Sequence, residues 1–99
     1  MMKFYSLENL EFFWDKQKNE KLIIERKISF EDVLVYLSGN SFLKVVNGNR
    51  NNQSYLLLEI EGYIYVVPFT KDGNKIFFKT IFPSRKMTKK YLGGNHEKS

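Results

Sequence analysis

The residues best placed for chemistry lie near the C-terminus, where the segment Ser84-Arg85-Lys86-Met87-Thr88-Lys89-Lys90-Tyr91-Leu92-Gly93 carries four cations at helical spacing. At about 100° per residue, Arg85, Lys86, Lys89 and Lys90 fall on one arc of a helix, and Met87 and Tyr91 fall on the opposite arc. One side can pack while the other forms a cationic stripe. Ser84 reads as the N-cap and Gly93 as the stop, which predicts a short helix over 85–92. Arg85 and Lys86 then occupy its first turn, where the helix dipole is already positive and acidic residues are normally favoured. An anion docked there would meet free backbone N–H groups, the dipole and the arginine fork together, an arrangement suited to phosphate. The plainer alternative is a solvated basic end helix.

Other chemistries are poorly supplied. The chain has no cysteine, hence no thiolate nucleophile and no disulfide, and its single histidine, His96, lies in a polar tail over 93–99. A histidine-based catalytic pair or zinc site is not expected, and neither a metal nor a cofactor is called for. Charge is unevenly spread. Residues 1–70 carry eight basic side chains against nine acidic ones, whereas residues 71–99 carry eight against two, a net +6. Such asymmetry points to an anionic partner, either nucleic acid or an acidic protein, with a merely soluble surface as the alternative. For RNA, Lys18, Arg50, Lys79, Lys89 and Lys90 are the candidate binding residues. Sixteen per cent of residues are Phe, Tyr or Trp; most of these rings are expected in the core, where they bury much apolar area per residue.

The elements that must position these residues follow from periodicity. Ninety-nine residues suffice for one core, read as a single domain over 1–92 followed by the tail. Asp15 can cap a first helix running to about Arg26 or Lys27, with Leu22-Ile23-Ile24 as its apolar patch and Trp14 just ahead. Ser29 and Asp32 make a capping-box start for a second helix, whose Phe30, Val33, Leu34 and Leu37 recur at i, i+3, i+4 and i+7, with a stop near Gly39-Asn40. The period then shortens to two. Strands are predicted over Phe42 to Val46, Tyr55 to Ile60, Tyr63 to Phe69 and Ile76 to Phe82, with hairpin turns at Glu61-Gly62 and Lys71-Asp72-Gly73-Asn74. A short strand near Leu10 to Trp14 would add a fifth, and the polar stretch Asn47 to Ser54 reads as a mobile loop. The expected class is α+β: two N-terminal helices packed on one face of a mostly antiparallel sheet of four or five strands, with the basic helix last. No apolar run is long enough to span a bilayer and no signal-peptide core is evident, so a cytoplasmic location is expected.

A resemblance adds a chemical expectation. The segment FFWDKQKNEKLIIERKISFEDV is similar to the opening of BrnT-family toxins, with Trp14-Asp15, Lys18 and Ile28-Ser29-Phe30-Glu31-Asp32 at matching spacing. The segment KIFFKTIFPSRKMTKKY resembles that family's last strand and basic segment, with Arg85, Lys86 and Thr88 in register. Leu22 and Glu25-Arg26 stand where the family carries Asn and Lys-His, and Pro83-Ser84 replace its Ser-Ala. The resemblance implies a RelE-like α+β endoribonuclease of a type II toxin–antitoxin pair, acting on mRNA, free or ribosome-associated, and neutralised by an acidic antitoxin. Metal-independent RNA cleavage needs a 2′-hydroxyl to lose a proton, the phosphorane to be stabilised and the leaving oxygen to gain a proton. Arg85 and Lys86 suit the second task. The base would be Glu25 or a lysine, and Arg26, Lys89 or Tyr91 would hold phosphate or donate a proton. Glu25 at this spacing is more often simply a helix-surface carboxylate paired with Lys21, four residues earlier. Besides this enzyme, two readings stay open on the same basic face: a non-catalytic nucleic-acid-binding module and a protein-interaction domain.

Overall fold

The computed structural model describes residues 4–6, 9–39, 42–48 and 53–93. It is an α+β arrangement in which strands β1 (Phe4–Ser6) and β2 (Leu10–Phe13) precede helices α1 (Lys16–Arg26) and α2 (Phe30–Leu37). Strands β3 (Phe42–Asn47), β4 (Gln53–Ile60), β5 (Tyr63–Asp72), β6 (Lys75–Phe78) and β7 (Phe82–Pro83) follow, and helix α3 (Arg85–Thr88) runs into a π-helical turn over Lys89–Gly93. The sheet runs β1-β2-β6-β5-β4-β3, with β7 paired to β5.

Both helix starts are set by side-chain chemistry. Asp15 accepts the Gln17 N–H (3.1 Å) at the head of α1. Ser29 and Asp32 exchange side-chain and backbone bonds in a full capping box at the head of α2. A contact between the helices was not anticipated from the sequence. The buried side chain of Asn19 in α1 accepts the Phe30 N–H (2.6 Å) and donates to Glu31 (2.8 Å). It thereby satisfies one of the N–H groups that the first turn of α2 leaves without an intrahelical partner. The expected apolar patch of α1 is reduced to Leu22; Ile23 and Ile24 face outward, 46% and 74% exposed. α1 stops at Lys27, which takes a left-handed conformation (φ 60°) and donates its N–H to the Ile23 carbonyl.

The sheet has more strands than expected and is mixed. β2 pairs with β6 in parallel, while every other described pairing is antiparallel. β1, only three residues long, offers too little pattern to be read as a strand. The single strand expected over Ile76 to Phe82 is broken into β6 and β7, and Pro68 supplies the reason. Its carbonyl accepts the Lys79 N–H (2.8 Å) on that side of β5, but proline has no N–H to return, so the ladder lapses over residues 79–81 before β7 resumes at Val66 and Tyr65. The polar stretch after β3 also contributes structure, because Asn47 pairs with Ser54 and the Gly48 N–H donates to the Gln53 carbonyl (2.9 Å). A Cβ on Gly48 would sit 2.5 Å from that carbonyl oxygen, so only glycine fits. Residues 49–52 of the expected mobile loop lie outside the described residues. At the β4–β5 turn both Glu61 (φ 53°) and Gly62 (φ 78°) adopt positive φ, as a type I′ hairpin demands.

Strand alternation divides the core between two faces. Leu56, Leu58, Val67, Phe69, Ile76 and Phe78 point to the face where Leu22, Ile28, Phe30, Val33 and Leu34 pack. There Trp14, Phe30 and Phe78 form a ring cluster with centroids 5.6–6.0 Å apart, extended by Phe12 at 5.5 Å from Phe78. Leu57, Ile64 and Val66 point the other way, where Phe82, Met87, Tyr91 and Leu92 cover them. Fully burying such a side chain contributes roughly 1.5–3 kcal/mol, and these partly buried ones contribute a share of that, so the C-terminal turn is held by packing. Among the described residues no helix is long and apolar enough to cross a membrane.

Candidate nucleic-acid interface

The C-terminal turn is fixed to β5 by a short hydrogen-bond chain. The Ser84 N–H donates to the Ile64 carbonyl (2.9 Å), and the Thr88 hydroxyl accepts the Ile64 N–H (2.8 Å) while donating to the Ser84 carbonyl (2.7 Å). The Ser84 hydroxyl in turn accepts the Met87 N–H (3.1 Å). Ile64 thus has both backbone groups satisfied by the segment that carries the cations. Met87, Tyr91 and Leu92 are half-buried against the sheet, and Arg85, Lys86, Lys89 and Lys90 are exposed. The two-sided spacing of the sequence therefore corresponds to a packed side and a cationic side.

The helix itself is shorter than the expected span of 85–92. Only Arg85–Thr88 is α-helical, and the hydrogen-bonding pattern then widens to a π turn. Four residues build little macrodipole, and the Met87 N–H is already taken by Ser84. The anion-binding potential here consequently rests on the side-chain cations and much less on the helix end.

Lys44 joins this face from β3 and was not singled out by the sequence. Its ammonium lies 5.4 Å from the centre of the Tyr91 ring, and the Lys90 ammonium lies at the same distance from that ring. Tyr91 thus holds two cations through its π-face, within the range where this attraction operates. The missed signal is the alternation of β3: Lys44 and Val46 share a face, and Val46, paired with Tyr55, packs on the same Leu57, Ile64 and Val66 cluster as Tyr91.

The remaining sequence candidates lie elsewhere. Glu25 and Arg26 are exposed residues of α1, which packs on the opposite face of the sheet from Arg85, Lys86 and Tyr91. Arg26 lines a cavity of about 250 Å³ with Lys27, Tyr36, Tyr65, Asp32 and Glu61. One constellation of Arg85, Lys86, Glu25, Arg26 and Tyr91 is therefore not assembled; the sheet lies between its two halves. Lys18 belongs to α1 as well, half-buried, and Lys79 is exposed at the break between β6 and β7. Arg50 and His96 lie outside the described residues. No group of three or more His, Cys, Asp or Glu side chains positioned to hold a metal occurs among the described residues. Comparison with protein-family models, with characterised proteins and with solved structures gave no match to this chain.

Proposed function

We propose that this protein grips RNA through the cationic face formed by Arg85, Lys86, Lys89, Lys90 and Lys44. The observation that carries this reading is the convergence of exposed cations from two separate elements, the C-terminal turn and β3, around one anchored tyrosine. Phosphate contacts from such groups supply most of the affinity for a nucleic-acid backbone. On the strength of the resemblance to BrnT proteins, the finer reading is a RelE-like, metal-independent endoribonuclease acting on mRNA in the cytoplasm, the toxin of a type II pair whose acidic antitoxin covers the same cations. Arg85 and Lys86 then stabilise the phosphorane, and Tyr91 or Lys89 holds phosphate or donates the proton. Glu25 and Arg26, on the far face, are left out of the reaction centre.

That separation also favours a second reading, a binder without cleavage, since it removes the carboxylate proposed as base from the neighbourhood of Arg85. Induced expression in a bacterial host and incubation of purified protein with a defined RNA in excess chelator tell them apart. Growth arrest and cleavage support the enzyme. Binding without either supports the module.

A further inference from the structure

The cationic turn covers only part of its sheet face among the described residues. It packs over Leu57, Ile64 and Val66. Two and four residues back along β4, the same face continues through Tyr55 and Gln53, and four residues on along β5 it reaches Thr70. The register then carries the row outward: Gln53 lies opposite Thr70, Thr70 opposite Phe77, and Phe77 opposite Phe13. All five of these side chains are half-exposed. Solvent-facing sheet positions are ordinarily polar, whereas this face sets three aromatic rings beside a group of cations.

The Phe13 and Phe77 rings stack at 5.1 Å with 20° between their planes. Rings lying flat and coplanar would clash at that distance, so both stand up from the sheet, and their stack runs across strands that are themselves about 4.8 Å apart. The next place in the stack is over Thr70, whose short side chain does not reach as far from the sheet as a phenyl ring. Beyond it lies Gln53, whose amide can both donate and accept. Charge gives the track a direction. On the side away from the turn, the row Glu11, Lys75 and Asp72 carries two carboxylates against one ammonium. On the other side the turn begins over Val66, about 13 Å from Thr70 at roughly 3.3 Å per residue, with Tyr55 between them.

We infer that this face is a base-stacking track for single-stranded RNA. A base set over Thr70 extends the Phe13–Phe77 stack and presents its edge to the Gln53 amide, and the strand runs past Tyr55 to the cations of the turn. The track deepens the RNA reading above and rests on it. Stacking takes any base, and it lacks the counterion release that makes phosphate contacts salt-dependent, so the two contributions are separable.

Two fluorescently labelled strands of equal length and charge, an oligouridylate and a fully abasic strand, are titrated into the whole protein and followed by anisotropy. The base-bearing strand should bind about fivefold or more tightly than the abasic one. Phe77→Leu should abolish that advantage and leave the salt dependence unchanged. Equal affinities for the two strands, or an advantage that survives Phe77→Leu, overturn the track and leave the cationic face standing. Failure of both strands to bind overturns the RNA reading and the track with it. Should the variant not fold, wild-type protein irradiated with RNA carrying 5-bromouridine decides: cross-links at Phe13 or Phe77 are expected, and cross-links confined to residues 85–91 overturn the track.

Discussion

Two side chains bear the clearest consequences at the scale of the residue. Asn19 accepts the Phe30 N–H and donates to Glu31 from a buried position. Asn19→Ala therefore leaves a buried backbone donor unpaired and should cost about 1–3 kcal/mol, measured as a fall in the denaturation midpoint at unchanged denaturant dependence. Nothing in the spacing of α1 announces this role, because a lone asparagine in a helix is ordinarily an exposed residue. Arg85 is the converse case, exposed and making no packing contribution to the core. If it stabilises the phosphorane, Arg85→Ala should raise the cleavage barrier by about 2.7–4 kcal/mol, the range for losing one transition-state donor, while the thermal midpoint stays put. Arg85→Lys should recover little, since an ammonium does not reproduce the bidentate fork. The cation pattern at Arg85, Lys86, Lys89 and Lys90 was legible because it is local; Lys44 was not, because only the pairing of β3 with β4 brings it to Tyr91.

The decisive element is the short C-terminal turn, whose orientation depends on Thr88. Its hydroxyl bonds both the Ile64 N–H and the Ser84 carbonyl. Thr88→Val keeps the shape but orphans the Ile64 N–H, so it should destabilise by about 1–3 kcal/mol and weaken RNA binding although no charge is altered. Hydrogen exchange at Ile64 rising ahead of the rest of β5 would mark the effect as local; unchanged exchange there would contradict it. Elements with strong local signals were readable in advance. The capping box of α2, the Glu61-Gly62 turn and the two-residue period of β4 and β5 are all written in neighbouring residues. The parallel β2–β6 pairing and the break opposite Pro68 were not, since both arise from contacts between segments far apart in the chain.

At the scale of the whole molecule, the two helices cover one sheet face and the cationic turn covers part of the other, so Arg85, Lys86, Lys89 and Lys90 are carried on the face away from α1 and α2. An acidic antitoxin meeting this face should associate more slowly as salt rises, with little change in its dissociation, the signature of electrostatic steering. An association rate flat with ionic strength would place the antitoxin elsewhere. The most direct test of the cationic face is RNA affinity measured across a salt series for the wild type and for Lys44→Gln with Lys90→Gln. With roughly 0.7 in slope per phosphate neutralised on a single strand, the wild type should show a slope of magnitude about 3 or more in a plot of log affinity against log salt, and the double variant should lose about 1.4 of it without losing its fold. Identical slopes for the two proteins, or a wild-type affinity indifferent to salt, would contradict the assignment.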